Sequence, residues 1–303
     1  MGFMDWFVAE DAYLALAKIQ GGLAQGSVTG TTYWVDSSNS DAVDAVGRGS
    51  FYAPFATIDY AIGQTTTLKG DVILVMPGHT ETISTAAAID LDVATTAVIG
   101  LGDGTNRPTV TLDAAAASIA IGAASCSLKN LQLVCSADAA AFISIEAAGD
   151  GAQVIGCSFR GDAAADEPDT VITIAAADDV VIAGNRFNFR SATLASTTGI
   201  VTTAATHRIA IASNYIGGNF TTAAISIATA SGDIIIADNY IINTAADVAG
   251  GAITLVNSTT GILSDNRGHN GNATAIDPGD SCGCDENYFS STITSSGTLD
   301  PGA

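Results

Sequence analysis

The strongest constraint in this sequence is a repeat. Short apolar-x-apolar pairs begin at Ile119, Ile143, Ile172, Ile200, Ile225, Ile253 and Ile276, spaced by 24, 29, 28, 25, 28 and 23 residues. A second series, apolar-x-x-Asn-x-apolar, places Asn185, Asn214 and Asn239 at one motif position and continues, degraded, at Asn266 and Asn287. Cys157 fills the same slot one unit earlier, and the steps from it are 28, 29, 25, 27 and 21 residues. The two series advance together, which chance apolar pairs do not do. Each unit therefore holds two or three strands of three to five residues, with alternating faces, separated by turns of Asp, Asn, Gly, Thr and Ala.

No segment between strands is long or periodic enough for a crossover helix, which excludes an α/β barrel or a doubly wound sheet. Strands that recur about every 25 residues and stack on the next unit make an all-β, single-stranded parallel β-helix, with about nine coils from Val72 to Phe289. At about 4.8 Å per coil that is a rod on the order of 40 Å long. Inward positions should form ladders of Ile, Leu and Val. The recurring residues Cys157, Asn185, Asn214, Asn239, Asn266 and Asn287 should stack in one turn and bond its backbone.

Composition agrees with a fold that has almost no helix. The 303 residues carry 10 Lys+Arg against 31 Asp+Glu, a formal charge of −21, yet only 14% are charged. By count 26 of the acids are Asp and 5 are Glu, and Lys occurs three times. Aspartate favours turns, whereas Glu and Lys favour helices. The acidity argues against nucleic acid or an anionic membrane as partner. No run of about 18 strongly apolar residues is present, so no membrane-spanning helix is expected. The opening residues lack the basic and apolar pattern of a leader, which reads as no signal peptide. The five cysteines (Cys126, Cys135, Cys157, Cys282, Cys284) then read as buried thiols rather than disulfides. Cys282-Gly-Cys284 has no matching pair for a metal, and structural calcium in the Asp-rich turns is the only cofactor the sequence leaves open.

The lead-in to the coils carries a family likeness. Tyr33-Trp34-Val35-Asp36 is followed by Asn39-Ser40-Asp41, Pro54-Phe55-Ala56-Thr57-Ile58, Gly70-Asp71-Val72-Ile73-Leu74-Val75 and Met76-Pro77-Gly78-His79-Thr80-Glu81. This resembles the opening of pectate-lyase-like right-handed parallel β-helix proteins. Here Asn39-Ser40 stands where that family usually has Asn-Gly, and His79-Thr80 where it usually has an aromatic. The resemblance implies a right-handed helix whose first coil is capped by a strand at Tyr33–Val35 and a short helix around Phe55–Ile62.

Candidate catalytic groups are sparse. Asp178-Asp179 resembles the paired acids of polygalacturonases, and Gly268-His269-Asn270 resembles their Gly-His-Gly, but the two lie 91 residues apart. Turn residues are the better explanation of Asp178, Asp179 and His269. Arg160, Arg186 and Arg267 flank the recurring turn near Asp238, Asp265 and Asp285, and surface ion pairs are the simpler reading of that row. Arg190 and Arg208 are the other arginines considered for a basic catalytic role.

Residues 1–32 form a separate unit. Phe3, Met4, Trp6, Phe7, Tyr13 and Leu14 give a helical, partly aromatic anchor or cap, ended by Gly21-Gly22; the β-helix domain spans 33–303. By analogy with phage proteins of this fold, the expected function is a non-enzymatic structural protein of a virus particle: a capsid decoration, fibre or tail-associated rod. It would meet other virion proteins through the N-terminal segment and form a homo-oligomer, with a trimer as the state considered. The alternative is a tailspike-like protein that binds or cleaves polysaccharide.

Overall fold

The structure is a computed structural model, and it describes residues 30–163, 166–189, 196–245, 251–271 and 275–290. Residues 1–29, the expected N-terminal anchor, lie outside the described residues.

The short alternating segments form strands in three sheets, all paired in parallel. The first sheet stacks ten strands, from Thr32–Val35 and Val72–Val75 to Ser281–Asp285. The second stacks nine, from Thr80–Ile83 to Tyr288–Ser290, and the third stacks eight, from Ile89–Asp90 to Ile276–Asp277. One coil visits each sheet in turn, as Val181–Ala183, Arg186–Phe189 and Thr198–Thr202 do. This is the parallel β-solenoid that the repeat requires.

The sequence ladders are the structural ladders. Ile89, Ile119, Ile143, Ile172, Ile200, Ile225, Ile253 and Ile276 sit in register down the third sheet. All but Ile276 are fully buried, and each such side chain contributes roughly 1.5–3 kcal/mol by leaving water. The next inward column runs Ile121, Ile145, Ile174, Thr202, Ile227 and Leu255. Thr202 is tolerated there because its Oγ1 accepts the Ala228 N–H at 3.1 Å. In the second sheet the bulk is aromatic: the Phe159 and Phe187 rings stack at 4.7 Å and 9°.

The first coil is closed by the expected elements. Thr32–Val35 pairs with Val72–Val75, and a helix at Ile58–Ile62 places Ile58, Ala61 and Ile62 over the core. Thr57 caps that helix, while Asp44 accepts the Ala56 and Thr57 N–H groups and Glu81 accepts the Ile58 N–H. This covers the sheet edges and core that an open coil would leave bare.

Candidate functional site

From Ser127–Lys129 onward, each coil bends from the first sheet into the second through one residue with positive φ. That residue is Asn130, Gly156, Gly184, Ser213, Asp238, Asp265 and Glu286 in successive coils, with φ between 51° and 65°. The bend turns the following side chain inward, and the slot there is filled by Leu131, Cys157, Asn185, Asn214, Asn239, Asn266 and Asn287. Each amide serves two coils. Asn214 Nδ2 donates to Ile182 O at 2.9 Å and to Asn239 Oδ1 at 3.0 Å, while its Oδ1 accepts from Asn185 N and Nδ2. The pattern repeats through Asn239 and Asn266 to Asn287. Cys157 ends the ladder: its N–H donates to Asn185 Oδ1, and its small side chain fills the slot. These residues are brought together, and their chemistry is structural, since every polar atom is occupied by a neighbouring turn.

Asp178 and Asp179 belong to a second column of tight turns, between the third and first sheets. Asp179 has φ 59°. The Asp178 N–H donates to Asp150 Oδ1, and Asp178 Oδ1 accepts the His207 N–H at 2.7 Å. Arg208 clamps Asp179 with two hydrogen bonds of 2.6 and 2.9 Å, and its hydrogen bonding and charge hold that carboxyl below its usual range. His269 is elsewhere, in the second sheet three strands beyond the coil of Asp179, with Ser290 Oγ as its neighbour at 3.2 Å. The structure does not assemble these three residues. Gly268, beside His269, is needed for packing: at φ 154° any Cβ would collide with the Ile241 carbonyl.

The arginines divide. Arg160 pairs loosely with Asp162 at 3.5 Å, and Arg267 with Asp265 at 3.8 Å; both are solvent-exposed ion pairs. Arg186 instead lies over the Tyr215 ring at 4.7 Å. Arg190 lies outside the described residues.

Two features were missed in the sequence. At the position between the ladder Asn and the following apolar residue, Arg186 and Arg267 were noted but the tyrosines were not used as a signal. That position reads Arg186, Tyr215, Tyr240, Arg267 and Tyr288, and the register places these five in one outward row of the second sheet. The other feature is a group of carboxylates beside the capping helix. Burial raises the Asp59 and Asp90 carboxyls, reinforced by Glu81 and Asp92 at Asp59 and by Asp92, Glu146 and Asp59 at Asp90, and among the described residues Asp90 Oδ1 has no hydrogen-bond partner.

The cysteines correct one expectation. Cys126, Cys135 and Cys157 are buried free thiols, but Cys282 is half-buried and Cys284 exposed. Both lie on the last strand of the first sheet among the described residues. Among the described residues no group of three or more His, Cys, Asp or Glu is arranged to hold a metal ion, and no helix is long and apolar enough to cross a membrane.

The outer side of the first sheet carries Ile155, Val181, Ala183, Ala210, Ala212, Ile235, Ala237 and Ile262 in two adjacent in-register rows. Ile235 is 49% and Ile262 55% exposed. Comparison with protein-family models, with curated proteins and with solved structures finds no match to this chain.

Proposed function

We propose that this chain is a non-enzymatic structural rod that works as part of a multi-copy assembly, as a decoration, fibre or tail-associated component of a virus particle. The observation that carries the reading is the apolar outer face of the first sheet. A chain of charge −21 leaves Ile235 and Ile262 exposed on this face, beside the half-buried Ile155 and Val181 and with alanines between them. Flat apolar sheet surface of this kind is a liability in a lone molecule and an asset in a symmetric interface. The Asn ladder supports the same reading, because it rigidifies the turns without offering a reactive group. Phage use of this fold is an analogy that points the same way.

Sedimentation velocity tests the assembly. The full chain should run as an oligomer, and Ile235→Asp with Ile262→Asp should return it to a monomer with an unchanged circular dichroism spectrum. A monomeric wild-type chain at micromolar concentration would overturn the assembly. Mass spectrometry of purified virus particles from the source tests the location, and absence of the chain from them would refute it.

A further inference from the structure

We propose that the apolar outer face of the first sheet is covered by the N-terminal segment, residues 1–29, of a neighbouring copy of this chain. The inference rests on the assembly reading above and names the partner in it. The face has a covered end and an open end. Its two outward rows begin at Val72 and Trp34 and run in register to Ile262 and Ser264. At the first end the chain covers itself. Phe51 packs edge-on against Trp34 with ring centroids 5.1 Å apart, and Trp34, Val72, Leu74, Ile99 and Leu101 form a buried cluster beneath it. From Ile155 onward the same rows are half-buried or exposed. The fold thus already closes part of this surface with an aromatic side chain laid on it from outside the sheet.

Side-chain size shapes the open end. Ala183, Ala212 and Ala237 follow one another in one row, between Ile155 on one side and the taller Ile235 and Ile262 of the adjacent row on the other. Short side chains bordered by long ones make a shallow apolar trough, which accepts bulky, uncharged groups and offers a charged partner nothing to pair with. The sequence supplies the matching groups. Phe3, Trp6, Phe7, Tyr13 and Leu14 recur at three-, four- and seven-residue steps, the spacing of one face of a helix.

Length and reach agree. A helix of residues 3–20 would be about 27 Å long at about 1.5 Å per residue. The open strands, Gln153–Ile155 to Thr260–Ser264, lie four steps apart in the sheet, which is about 19 Å. Residues 21–29 include Gly21, Gly22 and Gly26 and can extend to about 30 Å. This linker joins the rod at Gly30, which packs against the Gly70 carbonyl beside the first strand. On the same rod, the segment carrying Phe51 stands over the outer face between that point and the open strands. A rod alongside, within about 30 Å, presents its open face without that obstacle. Exchanging identical segments between copies is also a low-cost route to a closed, symmetric pair.

The test is photo-crosslinking of the full chain with p-benzoylphenylalanine in place of Phe7, using a mixture of isotope-labelled and unlabelled copies. Mass spectrometry should find the crosslink on the strands of Ala212, Ile235 or Ile262, and in peptide pairs that mix the two labels. In sedimentation velocity, Trp6→Asp with Phe7→Asp should lose the oligomer as completely as Ile235→Asp with Ile262→Asp, with an unchanged melting curve showing that the solenoid still folds. Crosslinks confined to one label would mean that each chain covers its own face and would overturn the exchange. Crosslinks to another face, or none, would overturn the docking. An oligomer that survives Trp6→Asp with Phe7→Asp but not Ile235→Asp with Ile262→Asp would sink this inference and leave the assembly reading standing, whereas a monomeric wild-type chain would remove both.

Discussion

Replacing Asn214 by Ala should be among the most damaging single-side-chain truncations outside the apolar ladders. The substitution removes four hydrogen bonds: Nδ2 to Ile182 O at 2.9 Å and to Asn239 Oδ1 at 3.0 Å, and Oδ1 from Asn185 N at 2.9 Å and Asn185 Nδ2 at 3.0 Å. Some neighbours keep a partner. Asn239 Oδ1 still accepts the Asn214 N–H, and Asn185 Nδ2 still donates to Val154 O. The Ile182 carbonyl keeps its ladder bond from the Ala212 N–H, but the Asn185 N–H loses its partner in a site closed to water, since Asn214 is 1% exposed. At about 1–3 kcal/mol for the orphaned N–H, plus a small cavity, the cost is about 2–4 kcal/mol. Asn287, half-buried at the end of the ladder, makes the equivalent bonds to Asn266 and Leu263 but can exchange them for water, so Asn287→Ala should cost only about 1 kcal/mol.

Guanidinium denaturation gives the total, and hydrogen exchange of the Asn185 and Asn214 amides gives the local effect, which matters because solenoid stability is a sum over neighbouring coils. Asn214→Asp sharpens the test. Its carboxylate would face the Ile182 carbonyl and Asn239 Oδ1 with no proton to offer, so burial would raise its folded-state pKa above the unfolded value of about 3.9. Stability of this variant should therefore fall more steeply than that of the wild type as pH rises from about 4 toward 7, because it adds one more raised carboxyl to Asp59 and Asp90. If Asn214→Ala costs no more than Asn287→Ala, the amide ladder is not what holds these turns.

Other positions give independent tests. Phe187→Ala, which removes the ring stacked on Phe159 at 4.7 Å, should cost about 3–5 kcal/mol in the same denaturation assay. Gly268→Ala should prevent normal stacking of its coil because the new Cβ meets the Ile241 carbonyl, whereas Gly156→Ala, with φ 65° and open space around it, should cost only about 1 kcal/mol. Thiol titration with Ellman's reagent on the native chain should label Cys284 quickly and Cys126, Cys135 and Cys157 only on unfolding. Burial pushes the Cys157 thiol from its ordinary 9.0 up to about 11, so the unfolded chain ionises it first and native stability should fall between those pH values. Burial shifts Cys126 and Cys135 in the same direction, so a melting temperature that holds steady across that window would refute the assignment.

The solenoid was legible because its signal is one-dimensional. A coil of nearly constant length brings Ile143 opposite Ile119 and Ile172 whatever else the chain does, so the spacing of isoleucines in sequence is already the register of the third sheet. The Asn slot was legible for the same reason, and the lead-in at Tyr33 and Phe55–Ile62 announced its cap. What sequence could not supply was direction and depth. Asp178-Asp179 looks like a reactive pair on paper, and only the turn geometry reveals a clamped residue at φ 59° with Arg208 across it. Cys282 and Cys284 alternate as inward residues do, yet among the described residues no further strand follows theirs, and Cys284 is exposed.

The outward faces were the least legible part, because side chains that point to water obey no packing period of their own. The row of Arg186, Tyr215, Tyr240, Arg267 and Tyr288 is spread over about a hundred residues of chain and becomes a single surface only when the coils stack. The sequence alone determined that this chain winds into a parallel β-solenoid, since burying its alternating apolar residues leaves few other solutions. Tertiary structure decided which of its polar residues share a face, because that depends on the register between coils and on the one residue with positive φ that starts each bend.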